Sequence, residues 1–399
     1  MLRDRTAILF IITAFVTGLC GAFFYPLSSL FIVEELGASP MLLSLYMILA
    51  VVSAVIVSQL LARQSDRNWK RKTILLVAMI CYLITISSFI VVRDYWLAVT
   101  IATVFGSVSG ASFGQLFALG REYADRHMED STTFLSTMRA GIAIAWVFGP
   151  PIAFMLKAAF GYNASFAVST VVVSLSIVVI AKYLPNGVVK DEPESNTDVK
   201  AAAASTSNGL IALYCSVVVF AFAANNLYIT SMPLYLSQEL KVDPSWLGFL
   251  FGAGALCEIP IMLYAGRLAE RVGTLKLLMF GLISGALFYS VMLTSTTFIA
   301  MLLAQVLNGF FIGVCATLGM VVLQDMMKDR LGTASTLFSS MLNISMLVAS
   351  LSVGVVGELF SYYTTLYVSL AGSIAALLML MVFKALESKR QPLGYVQTS

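Results

Sequence analysis

Two charged side chains, Arg139 and Glu258, lie deep within long apolar stretches of this sequence. A charge in the hydrocarbon of a membrane costs about 2.5–3.5 kcal/mol on insertion scales, so it is normally paired or faces a cavity. We predict that the two form an ion pair, directly or through a bound substrate, whose changing separation alters the proton affinity of Glu258. Glu258 is therefore the candidate proton-coupling residue. The alternative is a fixed pair that only holds the fold.

Trp146 follows Arg139 by seven residues, which places both side chains on one face of a helix. A guanidinium beside an indole suits a sugar, which offers hydroxyls to the donors and a C–H face to the ring. The pair therefore predicts a substrate-binding surface. The alternative is a tryptophan that only packs in the core of a helix bundle.

Amide side chains lie within several other apolar stretches. In hydrocarbon an amide must find a hydrogen-bond partner, either on another helix or on a ligand. We predict that these residues complete the substrate-binding cavity, although each could instead join two helices. They are Gln115, Asn225, Asn226, Gln305, Asn308 and Asn343. Glu122 is a further candidate, as an acceptor that binds sugar together with Arg139.

The chemistry of an enzyme or of a cofactor site has little support. His127 is the single histidine, and the five cysteines lie in apolar stretches without the spacing of metal ligands. No stretch carries a pair of carboxylates, and no glycine-rich phosphate-binding loop is present. We therefore expect no enzyme activity, no metal and no cofactor, and an energy source other than ATP.

The composition indicates a membrane protein. Hydrophobic residues make up 59% of the chain and charged residues 11%, whereas soluble domains average about 25% charged. A helix needs about 20 apolar residues to cross a bilayer. Twelve stretches meet that length, at roughly 6–33, 41–62, 73–92, 96–119, 132–157, 164–184, 208–237, 245–266, 274–294, 297–321, 334–357 and 362–385. The predicted fold class is an all-α membrane protein.

The sequence repeats itself at an offset of 204 residues. The string from Ala62 to Arg67 aligns with the string from Gly266 to Arg271, and Leu36 and Pro40 align with Leu240 and Pro244. We therefore predict two six-helix halves, 1–184 and 208–385, joined by a polar linker at 185–207 and followed by a tail at 386–399. In a membrane such a duplication is typical of a transporter that holds its substrate where the halves meet.

The basic residues indicate the orientation. With a cytoplasmic amino terminus, only Arg93, Lys157 and Lys241 of the 24 Lys and Arg residues fall in outside loops. Both termini are therefore predicted to be cytoplasmic. Because the other basic residues act as topology anchors, the net charge of +3 does not indicate a nucleic-acid partner. The first apolar stretch is too long for a cleaved signal and is predicted to be a helix of the protein.

The repeated loop string resembles the loop that follows helix 2 in the major facilitator superfamily, and its partial copy after helix 8. Ala62 and Trp69 replace expected glycines, and Glu270 replaces an expected aspartate. The resemblance implies that acidic groups at helix ends hold the cytoplasmic side closed. The candidate gating residues are Asp66, Arg67, Glu122, Asp125, Glu270 and Arg271.

Longer strings resemble the sugar efflux transporters of that superfamily, most closely their A type in enteric and plant-associated bacteria. These are 115–126, 138–156, Met232-Pro233-Leu234 and Glu258-Ile259-Pro260. The resemblance implies a major facilitator fold in which helices 5 and 8, with Arg139 and Glu258, flank the interface between halves. The lactose permease family also has an Arg and a Trp at the spacing of Arg139 and Trp146.

By this resemblance we expect export of glucose, lactose and related galactosides and thiogalactosides in exchange for protons. The expected setting is the bacterial inner membrane, and we expect a monomer. A drug/proton antiporter of the same superfamily is the alternative, because aromatic residues make up 12% of the chain and leave room for apolar drugs.

Overall fold

The computed structural model describes residues 4–67, 69–128, 131–185, 208–243, 245–327 and 330–388. Within these ranges, only the backbone is described for residues 62, 63, 65–67, 132, 331 and 332. Most of the predicted linker and tail, at 186–207 and 389–399, is also outside the described residues. The described chain contains no β-strand.

Twelve helices of the described chain are long and apolar enough to cross a membrane, which confirms the predicted spans. Most boundaries agree within a few residues, but α4 and α8 continue six or more residues past their predicted ends. The helices are α1 Arg5–Glu34, α2 Pro40–Arg67, α3 Arg71–Val91, α4 Tyr95–His127, α5 Ser131–Phe160, α6 Tyr162–Tyr183, α7 Asn208–Glu239, α8 Ser245–Val272, α9 Thr274–Thr294, α10 Phe298–Met326, α11 Leu331–Leu359 and α12 Thr364–Ser388.

The duplication is visible in the backbone where α1 and α7 end. Gly37 has φ 63° and Lys241, 204 residues later, has φ 54°; Lys241 is the one described non-glycine residue with a positive φ. The N–H of Leu36 donates to the carbonyl of Phe31, and that of Leu240 donates to the carbonyl of Tyr235. The same left-handed helix end therefore recurs at the offset of the sequence repeat.

The chain divides into two compact units. The first comprises Met1–Thr197, Ile229–Leu256 and Ser350–Tyr362, and the second comprises Asp198–Tyr228, Cys257–Ala349 and Tyr363–Ser399. The first unit therefore contains α1 to α6 together with one end each of α7, α8 and α11. The predicted halves, 1–184 and 208–385, are defined by repeated sequence and stay a prediction.

Small residues let α1 and α5 approach closely in the first unit. A Cβ added at Gly149 would lie 2.5 Å from the Cβ of Ala22, and one added at Gly18 would lie 3.0 Å from the Cα of Ile142. Such contacts between small residues hold membrane helices together, because lipid gives apolar side chains no reason to associate.

At one end of the first unit, several helices are joined through the carboxylate of Glu34, the last residue of α1. We term this end of the unit the Glu34 end. The ammonium of Lys157 on α5 lies 3.1 Å from this carboxylate, and the hydroxyl of Tyr162 on α6 donates to it at 2.5 Å. The hydroxyl of Ser237 on α7 also donates to Glu34. A single charge thus connects α1 with helices from both copies of the sequence repeat.

Close backbone contacts also hold helices together at the Glu34 end. A Cβ at Gly248 of α8 would lie 2.6 Å from the Cα of Pro151 on α5, and Gly354 of α11 abuts Ser44 of α2. The N–H of Met41 at the start of α2 donates to the carboxylate of Glu358 on α11 at 3.3 Å. Helices α2 and α5 therefore pack directly on α11 and α8 at the Glu34 end, which leaves no room for a solute between these pairs.

In the second unit, glycines likewise let two helices approach closely. A Cβ at Gly285 of α9 would lie 2.9 Å from the ring of Phe311 on α10, and one at Gly281 would lie 3.1 Å from the side chain of Val314. The aromatic rings of Tyr228, Phe288 and Tyr289 are fully buried beside this contact. Gly281 and Gly285, one helical turn apart on α9, thus serve helix packing.

Replacing Gly149 by Ala should destabilise the protein, because the new methyl group would overlap Ala22. Overpacking of this kind costs about 1–3 kcal/mol, so the melting temperature in detergent should fall by several degrees. Gly21→Ala is the matched control, since nothing lies within 4 Å of its added Cβ. Equal melting of the two variants would contradict the packing described for α1 and α5.

Replacing Glu34 by Gln should loosen the Glu34 end, because the ion pair with Lys157 is lost. Loss of a charge-assisted hydrogen bond of about 1.5 kcal/mol raises the equilibrium constant for opening this end about tenfold. Maleimide labelling of Ser44→Cys, in a protein whose five native cysteines are replaced, measures the opening of this end.

Glu35→Gln is the control for this labelling, because the carboxylate of Glu35 faces Arg93 at 3.7 Å in an exposed pair. We expect its labelling rate to match that of the parent protein. Unchanged labelling in Glu34→Gln would show that Glu34 does not hold this end closed.

Candidate functional site

Arg139 lies on α5, about 12 Å from the first residue of the helix at 1.5 Å per residue. Its side chain is exposed, and its guanidinium carbon lies 5.8 Å from the ring centroid of Phe117 on α4. Within the first unit it forms no hydrogen bond or ion pair with a described residue. A guanidinium stacked on a ring and otherwise free is placed to bind a ligand.

Trp146 is half-buried on the same face of α5, two helical turns beyond Arg139. Pro150 continues this face, and its carbonyl oxygen would lie 3.1 Å from a Cβ at Gly248 of α8. The face that carries Arg139 and Trp146 therefore adjoins the contact between α5 and α8 within the first unit.

Helix α4 contributes the other candidates of the first unit. Gln115 is buried and already has a partner. The carboxylate of Glu122 forms an ion pair with the guanidinium of Arg71 at the start of α3. Its predicted role with Arg139 stays a prediction. Asp125 accepts a hydrogen bond from Ser131 at 2.6 Å.

Glu258 lies in the second unit, near the middle of α8. Because α8 ends at Val272, six residues beyond its predicted end at 266, Glu258 lies about 21 Å from that helix end. A Cβ at Gly309 of α10 would lie 2.8 Å from the backbone nitrogen of Glu258, and one at Gly313 would lie 3.1 Å from its carbonyl oxygen. Two glycines of α10 thus fix the backbone that carries this carboxylate.

A chain of hydrogen bonds orders the amides of α10. The Gln305 amide nitrogen donates to the hydroxyl of Tyr228 at 3.1 Å, and the Asn308 amide nitrogen donates to the carbonyl oxygen of Gln305 at 3.2 Å. The side-chain oxygen of Asn308 is buried and has no hydrogen-bond partner in the described chain. Gln305 therefore positions Asn308, whose free acceptor is suited to a hydroxyl donor.

The remaining amides differ in their surroundings. Asn226 donates to the hydroxyl of Ser345 on α11 at 3.2 Å, which is the interhelical alternative considered for it. Asn225 and Asn343 are half-buried.

The candidate residues fall into two groups. Arg139, Trp146 and Gln115 belong to the first unit, whereas Glu258 and the amides of α7, α10 and α11 belong to the second. The structure brings Gln305 and Asn308 together, and a single cavity that includes both groups stays a proposal.

The gating candidates are only partly described. The side chains of Asp66 and Arg67, at the end of α2, lie outside the described residues. Glu270 and Arg271 are exposed in the last turn of α8. Their predicted gating role stays a prediction, as does that of Glu122 and Asp125.

The Glu34 end contains functional candidates that are not predicted from the sequence. Lys157 is predicted only to be one of three basic residues in outside loops. The useful signal was the presence of Glu34 and Glu35 at the end of the first apolar stretch, which provides acids for those bases. Spacing along the chain could not place Ser237 beside them.

Metal ligation is not indicated in the described part of the chain. No group of three or more His, Cys, Asp or Glu side chains there is arranged to hold a metal ion. The five cysteines are all free and lie within helices.

Comparison with known proteins identifies the family. The model of the Major Facilitator Superfamily matches residues 10–217 and 214–395. The chain is 33% identical over 370 residues to sugar efflux transporter A of Dickeya chrysanthemi, covering 93% of each chain. It is 30% identical over 384 residues to sugar efflux transporter C of Escherichia coli strain K12, covering 96% of each chain.

Solved structures agree on the fold. The nucleoside transporter NupG aligns with a TM-score of 0.75 at 14% identity, over 96% of this chain and 99% of that one. A bacterial homologue of the iron transporter ferroportin in an inward-facing state aligns with a TM-score of 0.74 at 17% identity, over 96% and 99% of the chains. This multi-pass membrane protein belongs to the sugar efflux transporter family of the major facilitator superfamily, a family of transporters and not of enzymes.

Proposed function

We propose that this chain exports glucose, lactose and related galactosides and thiogalactosides from the bacterial cytoplasm, by alternating access and in exchange for protons. The observation that carries the proposal is its likeness to curated sugar efflux transporters over more than nine-tenths of both chains. The chemistry of the candidate residues supports a neutral, hydroxyl-bearing substrate.

Three side chains are assigned to sugar binding. The free acceptor of Asn308 is suited to a sugar hydroxyl, and the guanidinium of Arg139 to further hydroxyl oxygens. Trp146 would provide a flat surface for the C–H face of the ring. Gln305, whose amide already binds Tyr228 and Asn308, acts by positioning Asn308.

The Glu34 end is proposed to be the outer gate in its closed state. The sequence places the few outside basic residues, Arg93 and Lys157 among them, at this end, so a cytoplasmic amino terminus puts Glu34 on the outside. Closure depends on the carboxylates of Glu34 and Glu358 and on contacts between small residues, which can separate without leaving a large apolar surface in water. Opening it, with closure of the opposite end, would release the sugar outward.

Glu258 is proposed to exchange the proton. Within the second unit its carboxylate has no hydrogen-bond partner among the described residues. An unpaired carboxylate in the middle of a membrane helix is more stable when protonated, and the approach of a cation such as Arg139 would favour its ionised form. Loading and release of a proton can thus follow the movement of the helices.

Replacing Glu258 by Gln should abolish the use of the proton gradient. In everted membrane vesicles with an acidic lumen, the parent protein should accumulate radiolabelled lactose or thiogalactoside, and a protonophore should abolish the accumulation. Glu258→Gln should give no accumulation yet retain exchange of labelled for unlabelled sugar, because the sugar site is intact.

Glu387→Gln, which changes a carboxylate in the last turn of α12, is the control and should accumulate sugar normally. Proton-driven accumulation in Glu258→Gln would remove this residue from the mechanism. Movement of lipophilic cations without movement of any glycoside would establish the drug/proton antiporter instead.

Replacing Asn308 by Ala should weaken sugar binding. Loss of a hydrogen bond of about 1 to 1.5 kcal/mol predicts a KM for sugar about tenfold higher. Gln324→Ala is a control on the same helix, since that amide donates to Ser335 of α11 and is no binding candidate. A normal KM in Asn308→Ala would exclude a sugar contact by this residue.

A further inference from the structure

An apolar groove of about 240 Å³ lies between α1 and α6 on the first unit. Apart from Thr13 and Ser176 it is lined by aliphatic side chains, from Ile12, Val16 and Leu19 on α1 and from Val172, Leu175 and Val179 on α6. Leu175 is 61% exposed, so the groove opens at the surface of the helices. In a membrane-spanning protein such an opening faces lipid.

The two helices run in opposite directions along this groove. The contact of Glu34 with Tyr162 joins the last residue of α1 to the first residue of α6. The first turns of α1 and the last turns of α6 therefore lie at the same end of the unit. That end is opposite to the Glu34 end.

A basic residue continues each wall of the groove toward that end. Arg5 precedes Ile12 by seven residues and Lys182 follows Leu175 by seven residues, so each cation shares a helix face with its wall. Both side chains are exposed, and neither forms an ion pair with a described residue. The two cations thus stand about 10 Å beyond the groove residues from which they are counted.

The nearby groups leave these two cations free. The carboxylate of Asp4, next to Arg5, caps α1 by accepting from the N–H of Thr6 and accepts from the hydroxyl of Tyr123 at 2.5 Å. Lys72 donates to the carbonyls of Ala181 and Leu184 and so offsets the negative end of the α6 dipole. An anion at Arg5 and Lys182 would therefore meet an electropositive surface.

We propose that the groove binds one anionic phospholipid, with an acyl chain along the aliphatic walls and its phosphate between Arg5 and Lys182. Phospholipids combine an apolar chain with a charged phosphate, and basic residues at the edge of interhelical grooves are suited to their head groups. This lipid site is independent of the sugar that the protein carries.

The test uses the delipidated full-length protein in detergent with phosphatidylglycerol, and with phosphatidylcholine of the same acyl chains. Native mass spectrometry measures the lipid retained, and thermal unfolding measures the shift in melting temperature. The variants are Arg5→Gln/Lys182→Gln, which removes the cations, and Leu175→Trp, which fills the groove. Lys276→Gln/Lys384→Gln removes the same charge from the second unit as a control.

The proposal expects one phosphatidylglycerol per protein and at least a fivefold weaker retention of phosphatidylcholine. Retention of phosphatidylglycerol should fall at least fivefold in both groove variants and remain normal in the control. The single variants Arg5→Gln and Lys182→Gln should each retain less phosphatidylglycerol than the parent protein. They replace the double variant in the test if that variant does not fold.

Other results overturn the proposal. Equal retention of the two lipids, or equal loss in the control, would show that the groove does not select an anionic lipid. Normal retention by Leu175→Trp would place the acyl chain elsewhere. The same melting shift with inorganic phosphate would assign the cations to a free anion and not to a lipid.

Discussion

Hydrocarbon offers no hydrogen bond to a polar side chain, and this constraint explains most of the arrangement described above. Each amide or charge within a membrane-spanning helix must meet another helix, a ligand or water. Gln305 and Asn226 have partners within their unit, whereas the oxygen of Asn308 has none among the described residues. The groups without partners are the ones on which a transported solute can act, because binding it removes their penalty.

Helix packing follows from the same constraint. Apolar side chains are as well solvated by lipid as by each other, so close association depends on small residues and on a few polar contacts. Gly149 on Ala22 and Gly248 on Pro151 are contacts of the first kind, and the carboxylate of Glu34 is the centre of the second. Contacts of both kinds can break and form again with modest energy. This property is what a transporter needs at a gate.

The sequence predicted the twelve spans well, because long apolar runs and their polar ends follow directly from the thickness of a bilayer. It also predicted the duplication, which reappears in the matching positive φ values of Gly37 and Lys241. The extension of α8 past position 266 was missed, because a helix that leaves the membrane continues with polar residues that hydropathy does not count. The α4 helix continued past position 119 to His127 for the same reason.

The site was less predictable than the fold. Residue type identified Arg139, Glu258 and the amides as candidates, but only the three-dimensional contacts separate Gln305, with its partners, from Asn308, with its free oxygen. The cluster around Glu34 joins residues more than 200 positions apart in the chain, and no local spacing indicates such a contact. Side-chain pairing across distant helices is a property of the packed structure.

Exchange of sugar for protons requires that the two cross the membrane in opposite directions through one protein. Proteoliposomes loaded with lactose and a trapped pH-sensitive dye test it directly when they are diluted into sugar-free buffer. We expect lactose to leave while the interior acidifies, and we expect Glu258→Gln to abolish the acidification. Exit of lactose without any change of internal pH would contradict it.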